Sequence, residues 1–494
     1  MSGEDEARQG VVDRMSLASA DLLGDRLDAL RELFPEALTE GKVDLERLRV
    51  ALGGQVDEGR ERYGLTWAGK AEAMRCIQVP STGTLLPVPA ESVDFDTSEN
   101  VFIEGDNLEV LKLLQKSYYG KVKLIYIDPP YNTGNEFIYP DNFREGLQDY
   151  LRYSGQVDGE GIKLSTNTET DGRFHSKWLS MMWPRLFLAR NLLRDDGFLC
   201  ASISDHECAA LRFVLNEVFG EENFVAQFVW KSRQFPDDRT LTHVSVDHEY
   251  LLVYARRNGT AFLGVGRDES KFANPDEDPR GPWMSRSLLG LATKEQRPNL
   301  HYTIEDPATG YKYDPPPETG WRYAKEKMAR LIENGCVLFP KKADGRPREK
   351  KFRRDITSSL RSIPSIITDV HTSHGTKEIR ELFGFQAFDF PKPTELVRTL
   401  VEQTTSDDDL ILDFFAGSAT TGHAVYLQNA RDGLRRRFVC VQLPEPTSAG
   451  SEAEQRGFPT IGAIGRERLR LAAQTVAKGI AESLDLNHGG IADL

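Results

Sequence analysis

The sequence predicts an α/β chain in which one open sheet is built from two segments, roughly 96–255 and 369–475, with a second domain inserted between them at 256–368. A helical N-terminal region and linker take up 1–95, and 476–494 form a tail. Three observations carry this reading. Short apolar runs alternate with helix-period segments in both stretches, as βα units do. Between about Arg256 and Thr368 that alternation gives way to Pro, Gly, aromatic and basic residues, as in "GPWMSRSLLG" and "YKYDPPPETGWRY". Finally, 494 residues exceed a single core, at about 150 residues per domain.

The elements follow in order. "DLLGDRLDALRELF" sets Leu22, Leu27, Leu30 and Phe34 near helical spacing, and "VPSTGTLLPVPAESVDFDTSEN" reads as a linker. "NVFIEGD" is a strand ending at Asp106, followed by a helix with Leu108, Leu111 and Leu114 on one face. "VKLIYI" is the next strand, and the long polar stretch Asn132 to His175 is a lid or ligand-contacting loop. Trp178 to Leu193 is helical, "GFLCASIS" a strand and Asp205 to Phe219 a helix. The runs "NFVAQFVW" and "EYLLVYA" complete the first segment. After the insertion come the helix "KPTELVRTLVEQ", the strand "LILDFF", the small-residue turn "AGSATTG", a helix and the strand "RRFVCVQL".

Composition excludes several classes. No apolar run approaches the roughly 18 residues of a membrane helix, and "MSGEDEARQG" is neither a secretory signal nor a transit peptide, so a cytoplasmic location is expected. The five cysteines are scattered and never spaced CxxC, which argues against a disulfide framework and a structural zinc site, and no metal site is expected. A net charge of −14 confines any nucleic-acid surface to a local patch. Lys341 to Arg354, "KKADGRPREKKFRR", is such a patch, with eight basic against two acidic residues. Met1 to Arg60, with fourteen acids against eight basic residues, has the opposite sign.

Two segments carry chemistry. Ligands of open α/β sheets sit beyond the carboxyl ends of the strands, where both "DPPY" (Asp128 to Tyr131) and "DFFAGSATT" (Asp413 to Thr421) fall. The two prolines stiffen the turn and lack N–H groups, leaving main-chain carbonyls free to accept. A carboxylate, a carbonyl and an aromatic face in one small volume suit a planar ligand with an exocyclic amine, such as adenine. A bare DPP tripeptide is more often an ordinary turn; the apolar strand before it and Tyr-Asn after it tip the balance. The small residues after Asp413 allow close backbone approach to a ligand, without the GxGxxG spacing of a dinucleotide site. "GLTWAGKA" imitates a phosphate loop, but Ala71 replaces the magnesium-binding hydroxyl.

With these segments in hand, the chain resembles β-class amino-methyltransferases, specifically the modification subunits of Type III restriction systems. "NVFIEGDNLEVLKLLQKSYYGKVKLIYIDPPYNTG", "FHSKWLSMMWPRL", "HGTKEIRELFG" with "FDFPKPTELVRTL", and "ILDFFAGSATTGHAV" carry the likeness in the family's order. The resemblance implies a Rossmann-like S-adenosylmethionine-dependent methyltransferase sheet with an inserted target-recognition domain. It also implies S-adenosyl-L-methionine as donor and DNA adenine N6 as acceptor. Asp128, Pro129 and Tyr131 would hold a flipped adenine, with Pro130 shaping the turn. Asp413, Phe415, Ala416, Gly417, Ser418 and Thr421 would line the donor's methionine part, helped by Lys392 and Pro393. Asp106 would accept from its adenine amine, and doubles as a helix cap forming a capping-box-like pair with Glu109. Ala419 departs from the family's more usual Gly. Gln442 stands where many relatives carry the acid for the ribose, with Glu445 as the alternative.

In the inserted domain, Lys350, Lys351, Arg353 and Arg354 would meet phosphates, and Arg286 or Arg322 base edges. The implied partners are double-stranded DNA, a second copy of the chain in a homodimer and a separate restriction subunit, within restriction-modification or another phage-defence system. Methylation of cytosine N4 or RNA, and a non-catalytic DNA-binding specificity subunit that recruits a translocase or nuclease, stay open as alternatives.

Overall fold

The computed structural model describes residues 19, 21–39, 42–52, 64–132, 171–342, 344–356 and 360–489. The expected lid, Asn132 to His175, falls mostly outside them. The chain divides into two compact units, one comprising Met1–Leu263 with Pro364–Leu494 and the other Gly264–Ile363.

The first unit is built on an eight-stranded sheet. Its strands are β1 (Val101–Glu104), β2 (Val122–Ile127), β3 (Leu193–Ile203), β4 (Phe224–Trp230), β5 (Glu249–Ala255), β6 (Ile366–Ile367), β7 (Leu410–Asp413) and β8 (Arg437–Gln442). The spatial order is β6-β4-β5-β3-β2-β7-β8-β1. From β3 to β1 every pairing is parallel, whereas β5 runs antiparallel to both β3 and β4. Both chain segments therefore feed one sheet. β6 lies within the stretch expected to be inserted, yet it pairs in parallel with β4.

The helices follow the strands: α1 (Asn107–Tyr118), α2 (Asp171–Leu192), α3 (Asp205–Phe219), α4 (Thr372–Phe383), α5 (Thr394–Thr404), α6 (Thr420–Asp432) and α7 (Ile461–Gly489). α1 and α3 pack on α2, while α6 packs on α5 and α7. Right-handed crossovers put these two groups on opposite faces of the sheet. Leu111, Ile125, Ile127, Leu186, Leu199 and Leu252, all fully buried, lie in the core between the sheet and the first group. The expected tail from 476 is a continuation of α7 to Gly489.

The direction in which the crossovers step across the sheet reverses between β2 and β7. β2 leads through α2 to β3 on one side, and β7 leads through α6 to β8 on the other. The crevice between their carboxyl ends is thus a topological switch point, the usual ligand position in such sheets.

Before the sheet, Leu22–Leu33 and Lys70–Cys76 are helical. The phosphate-loop look-alike leads into the second of these, and its Lys70 ammonium is bound by Glu217 at 2.7 Å and the Leu65 carbonyl at 2.8 Å. The second unit holds short antiparallel ladders, including Trp283–Ser287 paired with Arg348–Phe352. A small core around Leu288, Ile304, Trp321 and Met328 packs it together.

Candidate active site

Asp128 follows β2 directly, and Asp413 ends the neighbouring β7. The turn after Asp128 is fixed from outside. Trp178 Nε1 donates to the Pro130 carbonyl at 2.7 Å, and Asn132, at φ 56°, donates through Nδ2 to Glu207 at 2.5 Å. Glu207 is fully buried and also lies 2.6 Å from His175 Nδ1. The Pro129 carbonyl receives no hydrogen bond from the described residues.

A charged cluster surrounds this turn. Lys392 Nζ donates to the Tyr131 hydroxyl at 2.6 Å and to Glu249 Oε2 at 3.0 Å, and the Tyr131 hydroxyl donates to Glu249 Oε2 at 2.7 Å. Lys392 Nζ is also 3.2 Å from Asp128 Oδ1, as an ion contact out of line for hydrogen bonding, so this enclosed oxygen has no hydrogen-bond donor. The Asp128 side chain keeps 27% exposure, which belongs to the rest of the group. The Lys392 ammonium lies 4.6 Å from the Tyr131 ring centroid, toward the hydroxyl edge of the ring.

Burial raises the Asp128 pKa; Lys392 opposes this and Glu249 adds to it. Burial likewise pushes the Tyr131 phenol well above its ordinary value. For Lys392, burial favours the neutral amine, but Asp128 and Glu249 outweigh it and the pKa is raised. With both carboxylates ionised, two negative charges face one positive charge. A cationic ligand would complete the balance.

The turn after β7 is a scaffold. Asp413 is 2% exposed, with one oxygen on the Phe415 N–H at 3.0 Å and the other on the Thr421 hydroxyl. Arg468, fully buried, donates to Ser418 at 2.8 Å, Thr420 at 2.7 Å and Thr394 at 3.1 Å. Asp413, Ser418 and Thr421, expected to line the donor, are thus engaged in holding the turn. Phe415 and Ala416 are buried beside them, while Gly417, at φ 52°, is partly open. Gln442 accepts from the Gly417 N–H at 2.7 Å, so its side-chain carbonyl orients the turn. Ala419 has φ 62°, a left-handed conformation that accounts for glycine being the commoner choice in such a turn.

Asp106 caps α1, accepting from the Leu108 and Glu109 N–H groups at 2.9 and 3.1 Å. The reciprocal half of the expected box differs: the Glu109 carboxylate is paired with Lys112 at 2.9 Å. Pro393 is buried at the N-cap of α5, which places Lys392 at the crevice.

The basic residues of the second unit are used unevenly. Lys350 is held by Asp276 and by Asp278 at 3.3 Å, with its side chain only 10% exposed. Arg353 is bound to Glu269 at 2.8 Å, and Arg286 to the buried Glu349 at 2.8 Å. These three pairings compete with the nucleic-acid contacts expected of them. Lys341, Lys342, Arg322, Arg346 and Arg354 are exposed, and Lys351 is half-buried.

Glu249, Glu207 and Arg468 escaped the sequence reading. Glu249 alone left a signal, as an acid heading the apolar run "EYLLVYA". β5 is antiparallel to β3, and Tyr250 pairs with Ile203, so its first residues reach the carboxyl ends of the parallel strands.

Comparison with known proteins shows the family. Residues 122–468 match the DNA methylase family of N6/N4 methyltransferases. The StyLTI Mod subunit of a Type III restriction-modification enzyme from Salmonella typhimurium strain LT2 is 35% identical over 473 residues, spanning 91% of this chain and 69% of its own. The EcoP15I Mod subunit from Escherichia coli is 29% identical over 491 residues, with 91% and 75% covered. Among solved structures, a DNA modification methylase from Thermus thermophilus complexed with S-adenosyl-L-methionine aligns with 76% of this chain and 94% of its own, at 15% identity and a TM-score of 0.34.

Proposed function

From the premise that the chain belongs to the N6/N4 DNA methylase family, among the Type III Mod subunits, we propose that it methylates adenine N6 at specific DNA sites, with S-adenosyl-L-methionine as donor. The observation that carries this reading is the Asp128 cradle at the β2/β7 crevice: a partly exposed carboxylate whose enclosed oxygen lacks a hydrogen-bond donor. The residues also fit the donor, because the excess negative charge of Asp128 and Glu249 over Lys392 favours a sulfonium cation.

When bound, the donor supplies an electrophilic methyl group. The chain's own residues prepare the nucleophile. Asp128 and the Pro129 carbonyl accept the two N–H groups of the amine, draw its lone pair out of ring conjugation and localise it for in-line attack. Tyr131 stacks the extruded base on its ring, offsetting part of the few kcal/mol that unstacking costs. The N6 proton leaves after the methyl arrives, with Asp128 as first acceptor.

The test is labelling of DNA with tritiated donor. Asp128→Ala and Tyr131→Ala are expected to melt like the parent protein and to lose labelling; full labelling by either would overturn the mechanism. Mass spectrometry of the product nucleosides separates N6-methyladenine from N4-methylcytosine.

The same reading makes the second unit the target-recognition domain and a separate polypeptide the restriction partner. Among the described residues no helix is long and apolar enough to cross a membrane, in keeping with a cytoplasmic enzyme. A homodimer is proposed through the acidic N-terminal region, where Leu33 and Leu45 stand exposed. Sedimentation of the intact chain, with and without substitution of those leucines, tests it.

A further inference from the structure

Lys392 is the nearest cation to Asp128, yet its hydrogen bonds go elsewhere. At 3.2 Å from Asp128 Oδ1 it is close enough to pair, but its aligned contacts are the Tyr131 hydroxyl at 2.6 Å and Glu249 Oε2 at 3.0 Å. Glu249 in turn accepts from Tyr131 at 2.7 Å. The ammonium, the phenol and this second carboxylate close a ring of aligned hydrogen bonds, to which Asp128 is joined only by its 3.2 Å ion contact.

We infer that Glu249 is a positioning residue that diverts the Lys392 ammonium from Asp128, and so keeps the Asp128 carboxylate under-bonded and available to the amine of the target base. This rests on the proposed methyl transfer and deepens it. Asp128 then combines two properties that a simple ion pair would not allow. It stays close to a cation that limits the cost of burying its charge, and its enclosed oxygen retains acceptor strength because no donor is aligned on it. Glu249 raises the Asp128 pKa by its charge, whereas Lys392 and Tyr131 lower it, through the ammonium charge and weak hydrogen-bonding contact. Glu249 also anchors Tyr131 by its hydroxyl, so one carboxylate sets both the acceptor and the stacking platform.

Without the Glu249 charge, Lys392 retains one carboxylate neighbour and turns to it. Asp128 becomes a weaker base, its pKa falls, and the acidic limb of the kcat profile moves to lower pH while kcat drops. The charged and titratable groups that act on Asp128 or share its field are Lys392 from the loop before α5, Glu249 from β5, Tyr131 from its own turn, Tyr126 from β2 and Asp413 from β7. Burial raises the Asp413 pKa as well, so the profile is recorded in both the parent and Asp413→Asn backgrounds.

The experiment compares full-length protein with its Glu249→Gln variant under saturating S-adenosyl-L-methionine and duplex DNA. Donor binding by calorimetry and the melting curve serve as controls. The expected result is a kcat lower by about 10- to 100-fold, the scale of a charge-assisted hydrogen bond, with the acidic limb displaced downward by about one pH unit and donor affinity kept. An unchanged kcat, or a fall with the limb unmoved, overturns the inference. Should Glu249→Gln melt early, Glu249→Asp serves instead: its shortened reach is expected to give a smaller displacement in the same direction, and a fixed limb overturns the inference. If the parent protein itself modifies cytosine, or no base at all, it is the proposed function that fails.

Discussion

Asp413 shows how one residue trades stability for placement. Its carboxyl is buried, with the Thr421 hydroxyl and Phe415 N–H as partners, and burial raises its pKa to about 7, against about 3.9 in an unfolded chain. The folded state therefore binds the proton more tightly. This contribution to stability is full below about pH 4 and is lost as pH rises toward about 7. Thermal melts of Asp413→Asn are expected to show a shallower decline over that interval than the parent; parallel declines would mean that Asp413 ionises normally. At this scale the sequence was legible where chemistry is contiguous. Asp128 and Tyr131 lie in one tetrapeptide behind an apolar strand, so the cradle could be read directly. Lys392 was found but assigned to the donor, because no local pattern shows that its ammonium reaches back to a tyrosine 261 positions earlier. Glu207 and Arg468 gave no signal: each is a charged residue on a helix, and only tertiary packing buries it.

Among the elements, α4 and the loop before α5 are locked by a glycine. A Cβ at Gly375 would lie 2.2 Å from the Pro391 carbonyl oxygen and 3.0 Å from the Lys392 carbonyl carbon. The backbone carrying Lys392 thus rests directly on α4. This gives a physical reason why "HGTKEIRELFG" and "FDFPKP" occur together. Gly375→Ala must push that loop away, at a cost of about 1–3 kcal/mol, and is expected to lower both the melting temperature and DNA labelling. Normal labelling would show that the loop can yield. The order of strands and helices was readable from periodicity, and Asp205–Phe219 has the limits its pattern implied. The end of the insertion was not readable, because Ile366–Ile367 is too short a strand to stand out and owes its place to β4.

For the whole molecule, a net charge of −14 makes any hold on DNA depend on a few exposed cations. The run that looked uniformly basic divides by pairing: Lys350 and Arg353 are bound within their own unit, whereas Arg354 is 59% exposed and paired only at 3.8 Å with its exposed neighbour Asp355. Charge reversal at Lys351 and Arg354 is expected to weaken DNA binding and reduce the salt slope by about one per lost phosphate contact. Lys350→Ala is expected chiefly to lower thermal stability. An unchanged salt slope in the double reversal would place the phosphates on another surface. Charge counting could find the patch, but pairing partners seventy or more residues away decide which cations are free.

The sheet also imposes a timetable on synthesis. β1 emerges from the ribosome early, yet its partner is β8, and Val101 must wait for Val439; β7, which closes the gap between β2 and β8, is likewise late. Long-range pairings of this kind fold slowly, and a nascent chain carries unsatisfied strand edges until its final portion appears. Interrupted translation therefore yields Asp128 without Lys392 or the Asp413 turn, a polypeptide that the proposed mechanism expects to leave DNA unmarked.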